Sequence, residues 1–186
     1  MRVLGISGSL RRDSYNTKLL RTAGELLPSG VELEVWDELK AVPPFDEDEE
    51  LGPAPAAVES LRRAVARADA IVFATPEYNA SIPGQLKNAV DWLSRPVATT
   101  PLRGKPTLVV GASTGAFGAV WSQAELRKVL ATAGARVVEA EVAVGHAPTK
   151  FDELGALVDE ELEDQLREAI DVLLAETPAR LIAAAV

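Results

Sequence analysis

The sequence predicts a doubly wound α/β fold: a five-stranded parallel sheet in the order 2-1-3-4-5 with helices on both faces. Three observations carry this. Short apolar, β-favouring runs alternate five times with segments whose apolar residues recur at spacings of three and four, and such alternation implies crossover helices over a parallel sheet. The composition shows no internal break across 186 residues, about the length of one domain. Right-handed crossovers leave few topologies, and five strands fit the order 2-1-3-4-5, whose ligand sites lie at the carboxyl ends of strands near the switch point.

Residues 2–6 form the first apolar run, stopped by the turn-forming Ser7-Gly8-Ser9. A helix is expected from near Asn16, because Leu19, Leu20, Ala23, Leu26 and Leu27 share one face, and Pro28-Ser29-Gly30 ends it. Residues 31–35 alternate apolar and polar, as does a strand near a sheet edge with one wet face. Residues 43–55 contain Pro43, Pro44, Pro53, Pro55 and the acidic run 46–50. They read as a solvated loop, since blocks of like charge repel one another and stay exposed; a lid over a ligand is the alternative. Residues 57–68 are helical. Residues 70–74 are wholly apolar between Asp69 and Pro76, the pattern of a strand covered on both faces. Residues 84–94 are helical with Leu86, Ala89, Val90 and Leu93 on one face, and 107–110 form another apolar strand ending in glycine. A helix over 122–133, a strand over 137–144 and a helix over 159–175 complete the series. One domain spans 1–186, with residues 176–186 as an apolar tail that either packs on a partner subunit or frays.

The chain has no cysteine, which excludes disulfides, cysteine-ligated zinc, iron–sulfur clusters and cysteine nucleophiles. A formal net charge of −9 argues against nucleic-acid binding, which calls for a basic face. The apolar run near the start is far shorter than a signal sequence requires, and no stretch approaches the roughly 18 apolar residues of a membrane span. A cytoplasmic location is the expectation. His146 is the sole histidine and has no evident ligand partner, so no metal site is expected. Trp36, Trp92 and Trp121 read as packing or interface residues, with Trp121 the best placed to reach a site after the fourth strand.

The loop after the first strand runs Gly8-Ser9-Leu10-Arg11-Arg12-Asp13-Ser14-Tyr15-Asn16-Thr17. It leads into a helix start, where free N–H groups and the helix dipole favour an anion. Ser9, Ser14, Asn16 and Thr17 add neutral hydrogen bonds, and Arg11 or Arg12 a charge-assisted one. The loop lacks the second glycine and lysine of a Walker loop and the third glycine of a dinucleotide fingerprint. Both omissions favour a terminal monophosphate; a plain helix cap is the competing reading. After the third strand, Pro76-Glu77-Tyr78-Asn79 and Ser81-Ile82-Pro83-Gly84 make a stiff turn presenting a ring and an amide, suited to a flat heterocycle or to an ordinary connection. After the fourth, Gly111, Gly115 and Gly118 let a ligand approach the backbone.

These blocks, together with Leu86-Lys87-Asn88, resemble the NADPH-dependent FMN reductases, including quinone and chromate reductases of flavodoxin-like fold. The likeness covers about residues 1–175. It implies that Ser9, Arg11, Ser14 and Asn16 hold the FMN phosphate, with Leu10 among the cofactor-binding residues, that Pro76, Glu77, Tyr78 and Asn79 contact the isoalloxazine, and that Ser113, Thr114 and Gly115 lie beside the flavin. It implies NADPH or NADH as co-substrate, a small-molecule electron acceptor such as a quinone or free flavin, and a homodimer or homotetramer. Many members carry a double glycine where this chain has Gly118-Ala119. Redox chemistry of this kind belongs to the cofactor, so no side chain is expected to act as an acid or base. A flavodoxin-type electron carrier and a flavin-free scaffold are the rival readings.

Overall fold

The computed structural model describes residues 1–177; the apolar residues 181–186 of the tail lie outside them. In chain order the elements are β1 (Arg2–Ser7), α1 (Tyr15–Glu25), β2 (Glu32–Trp36), α2 (Ala56–Arg67), β3 (Ala70–Thr75), α3 (Gly84–Leu93), β4 (Pro106–Ala112), α4 (Val120–Thr132), β5 (Arg136–Val137), β6 (Ala143–Val144) and α5 (Glu160–Ala175). All strands are parallel and run β2-β1-β3-β4-β5, with β6 also on β4. This is the expected order, with β2 at one edge.

Alternation along the strands splits the core in two. Leu4, Ile6, Ile71, Phe73 and Val109 face α2, α3 and α4. Val3, Ala70, Val72, Ala74, Leu108 and Val110 face α1 and α5. All of β3 is buried, as its unbroken apolar run requires.

The fifth strand differs from expectation. It is two short pieces, β5 on Pro106–Thr107 and β6 on Gly111–Ala112. Between them the five residues 138–142 lie opposite only 108–110 of β4, so the ladder bulges. A continuous strand would turn Glu139 and Glu141 towards α4, on the face that Val137 shares with the core. The bulge leaves both glutamates exposed. Arg127 then donates to the Ala140 carbonyl at 3.2 Å and pairs with Glu141 at 3.4 Å.

The 43–55 segment is more anchored than a solvated loop. Its acidic residues 46–49 are exposed, but its backbone is bound to α3. Asn88 donates to the Pro43 carbonyl and accepts from the Phe45 N–H, Trp92 Nε1 also donates to Pro43, and Phe45 packs edge-on against Trp92 at 5.0 Å. Arg95 pairs with Glu47 and Glu50 at 3.1 and 3.6 Å. Among the described residues, no helix is long and apolar enough to cross a membrane.

Two tests follow from this packing. A Cβ on Gly118, whose φ is +57°, would sit 2.3 Å from the Ala143 carbonyl carbon, whereas one on Gly115 meets nothing nearer than 3.8 Å. Gly118→Ala should cost about 2–5 kcal/mol from left-handed strain and overpacking, and Gly115→Ala far less; equal unfolding midpoints in urea would refute the contrast. Asp159 caps α5, accepting from Leu162 N–H, and a hydrogen bond from Lys150 holds its carboxyl below the ordinary value. A depressed folded-state pKa stabilises at neutral pH and loses that contribution as pH falls through the lowered value. Asp159→Asn should therefore flatten the acid limb of a stability-against-pH curve.

Candidate functional site

The carboxyl ends of β1, β3 and β4 converge, and the loops leaving them enclose one cleft. Its walls are Ser9, Arg11, Ser14, Tyr15 and Asn16 from the first loop, Pro76, Glu77 and Tyr78 from the second, and Ala112, Ser113 and Thr114 from the third. Nine of the twelve residues singled out in the sequence are in that wall; Leu10, Asn79 and Gly115 are outside it. Tyr15 and Ala112 are additions.

The first loop is pressed against the second. The Gly8 N–H donates to the Ala74 carbonyl at 2.8 Å, and a Cβ on Gly8 would meet Leu86 Cδ2 at 2.7 Å; the glycine serves close packing here. Ser7 Oγ accepts from the Ser9 N–H, and Ser9 Oγ from the Arg11 N–H. Ser14 caps α1, accepting from Thr17 N–H at 3.3 Å. Helix geometry leaves the N–H groups of Tyr15 and Asn16 without an intrahelical acceptor, so they remain as donors at the cleft. The hydroxyls of Ser9 and Ser14 act as acceptors in these bonds, which leaves their protons to donate. Arg11 is exposed, donates to the Asp13 carbonyl at 3.0 Å and lies 5.8 Å from the Tyr15 ring centre. Lys18 approaches that ring at 5.2 Å, and Phe151 packs on it at 5.6 Å. The donor set thus suits a monoanionic or dianionic oxyanion group.

Asn16 plays a part that its residue type did not reveal. Its Nδ2 donates to the Ala112 carbonyl and its Oδ1 accepts the Ala112 N–H, both at 2.9 Å. Its side-chain amide is therefore occupied in tying α1 to the end of β4. Only its backbone N–H faces the anion position.

The second loop is a tight turn. Tyr78 and Ser81 exchange backbone hydrogen bonds at 3.2 and 3.1 Å, and Asn79 and Ala80 between them have φ of 53° and 57°. Tyr78 is half exposed at 51%. Glu77 also binds α4: its Oε2 accepts the N–H groups of Trp121 and Ser122 at 3.1 Å, at the start of that helix. The third loop is held from behind. The N–H of His146 donates to the Gly115 carbonyl and that of Ala147 to the Ser113 carbonyl. Gly111 and Gly118 are crowded by Thr75, Gln123 and Ala143, so these glycines admit neighbouring protein, whereas a Cβ on Gly115 would make only ordinary contact with Ser113 Oγ at 3.8 Å.

The tryptophans divide. Trp36 and Trp92 are buried, whereas Trp121 is half exposed and packs edge-on against exposed Phe117 at 5.0 Å beside the cleft loops. The His146 side chain is exposed, and the described residues hold no cluster suited to a metal ion. A larger groove between α3 and α4, lined by Lys87, Asp91, Arg95, Arg103 and Lys128 among others, shares no residue with the cleft.

Residues 1–149 match the family model described as NADPH-dependent FMN reductase. The chain is 41% identical over 174 residues to an NAD(P)H-dependent FMN reductase of Pseudomonas aeruginosa, spanning 93% of each. It is 36% identical over 173 residues to a quinone reductase of Escherichia coli, spanning 92% of this chain and 86% of the other. The solved flavoenzyme NAD(P)H:(acceptor) oxidoreductase FerB of Paracoccus denitrificans superposes with a TM-score of 0.85 at 30% identity, covering 95% of this chain and 99% of that one. The chain belongs to the NADPH-dependent FMN reductase family.

Asn16→Ala tests the tie across the cleft. It would leave the N–H and C=O of Ala112, a residue only 2% exposed, without their partner, at a cost of about 2–4 kcal/mol. A loss below about 1 kcal/mol in equilibrium unfolding would show that solvent replaces the amide.

Proposed function

We propose that this chain is an NAD(P)H-dependent reductase that works through bound FMN and delivers electrons to quinones, free flavins or similar flat acceptors. The observation that carries the reading is the single cleft that joins an anion-binding helix start to the Tyr78 turn, in a chain of the FMN reductase family. Its relatives are named for the same chemistry over nearly the whole chain. The carrier reading, a flavodoxin-type protein with no NAD(P)H oxidation of its own, has no comparable support.

The residues fit the group. A terminal phosphate is met by the N–H groups of Tyr15 and Asn16, the hydroxyls of Ser9 and Ser14 and the Arg11 guanidinium. Leu10 is half exposed at the rim. We assign the isoalloxazine contact to the Pro76-Glu77-Tyr78-Asn79 loop and to Ser113, Thr114 and Gly115, of which Pro76, Glu77, Tyr78, Ser113 and Thr114 line the cleft. Bound FMN would supply the redox chemistry, taking a hydride from NADPH or NADH and passing the electrons on to the acceptor. The chain's task is then positional. The first loop anchors the phosphate, the second and third loops hold the ring, and Tyr78, Phe117 and Trp121 present exposed aromatic faces on or next to those loops. No side chain is needed as a proton donor. We assign residues 1–186 to one FMN-binding unit acting in the cytoplasm as a homodimer or homotetramer, with no nucleic-acid or membrane partner.

Purified protein loaded with FMN should oxidise NADH or NADPH in the presence of a quinone, and failure with both would return the chain to the carrier reading. Arg11→Ala should weaken FMN binding by about 1.5–3 kcal/mol, roughly ten- to a hundredfold. An unchanged dissociation constant would remove Arg11 from the phosphate site.

A further inference from the structure

The Tyr78 turn is closed by its own Tyr78–Ser81 backbone pair, but its two central residues suit its shape poorly. Asn79 and Ala80 both sit in the left-handed region, which is disfavoured for any residue with a Cβ and more so for alanine than for asparagine. No glycine relieves either position. Within the turn the backbone pair alone carries that strain, and groups outside the turn help to hold the shape.

Two carboxylates on opposite sides of the gap to α4 do so. Glu77, on the leading arm, binds the first N–H groups of α4. That helix starts after Ala119 with no side-chain cap of its own, so Glu77 doubles as its cap. Glu125, on α4, reaches back to the trailing arm. Its Oε2 accepts the Ser81 hydroxyl at 2.6 Å and the Ile82 N–H at 3.3 Å. Ser81 is also the residue that closes the turn on Tyr78. The Glu125 carboxylate forms no ion pair among the described residues, so its charge is directed at the loop. Hydrogen bonds to a charged acceptor are shorter and stronger than neutral ones, and the Ser81 contact is the shorter of the two.

We propose that Glu125 is a positioning residue for the flavin ring: from α4 it fixes the trailing arm of the Tyr78 turn and so sets where Tyr78 meets the cofactor. This rests on the FMN reading given above. Glu125 touches no cofactor itself, and it is exposed, so its replacement leaves the core intact.

The test uses the full chain, first without flavin and then with it. In the flavin-free protein, Glu125→Ala should speed amide exchange at Ile82 and Ser81 by about ten- to a hundredfold, the range for loss of a charge-assisted hydrogen bond. The Trp121 and Ser122 amides, held by Glu77, should not change. Glu125→Gln, which keeps an acceptor without the charge, should fall between. With flavin, Glu125→Ala should weaken riboflavin and FMN by the same factor and shift the bound-flavin absorbance, whereas a substitution in the phosphate loop weakens FMN alone. Unchanged exchange at Ile82 would overturn the clamp. Faster exchange with unchanged riboflavin affinity and spectrum would overturn the link to the ring. A wild-type chain that takes up neither flavin would sink the FMN reading instead, and the exchange difference would tell the two failures apart.

Discussion

The paired hydrogen bonds between Asn16 and the backbone of Ala112 hold the cleft in register. β1 and β4 are not neighbours in the sheet; β3 lies between them. A side chain from the first turn of α1 nevertheless spans that gap and satisfies both polar groups of a buried residue at the end of β4. The consequence is geometric. The helix start that supplies the anion donors and the loop that begins at Ser113 cannot drift apart without orphaning two backbone groups, which is costly in a buried setting. Everything else at the carboxyl edge is arranged around that fixed distance.

Each loop meets the constraint differently. The first offers donors and needs Gly8 only because Leu86 and Pro76 crowd it. The second is short and strained, tied to α4 from both arms. The third is packed backbone against backbone: a Cβ on Gly145 would fall 2.2 Å from the Ala116 carbonyl oxygen, and one on Gly118 would strike Ala143. The bulge between β5 and β6 belongs to the same arrangement, because it carries residues 143–147 across to form the back wall of that loop. In a chain of net charge −9, the anion position survives because its attraction is local, built from helix-start N–H groups, hydroxyls and one guanidinium at short range; distant surface carboxylates are screened within about 10 Å at ordinary ionic strength.

Much of this was legible in the sequence, for physical reasons that also set the boundary of what was not. The wholly apolar run of β3 and the alternation of β2 announce a buried central strand and a half-wet edge, since side-chain period and burial are local properties. The cleft loops were legible because the strand order fixes where a ligand can sit. What escaped was whatever depends on a distant partner. Asn16 reads as a phosphate donor until Ala112, 96 residues away, takes its amide. The second task of Glu77, accepting the first N–H groups of α4, depends on residues 44 and 45 positions away. Residues 43–55 read as solvated because their anchors, Asn88 and Trp92, are on another helix. The broken fifth strand follows from where Glu139 and Glu141 would point under α4, and the crowding at Gly111 and Gly118 from neighbours brought there by the fold.

The distribution of backbone strain supports the same view of the edge. Among the described residues, four other than glycine adopt positive φ: Asn79, Ala80, Ala119 and His146. All four lie on the loops at the carboxyl end of the sheet or on the wall behind them. Hydrogen bonds flank each: Asn79 and Ala80 lie inside the Tyr78–Ser81 pair, the Ala119 carbonyl accepts the Gln123 N–H, and His146 donates its N–H to the Gly115 carbonyl while its own carbonyl accepts from Thr149. Left-handed backbone at a residue with a Cβ costs about 1–2 kcal/mol and persists only where the surroundings enforce it. Ala119 is the informative case, because its methyl group is buried. It is 1% exposed at φ 63°, so the alanine keeps the left-handed path a glycine would take and adds a buried methyl group. The buried methyl group adds apolar contact at the same position where the backbone carries left-handed strain, so packing and strain act against each other at a single residue of the third loop.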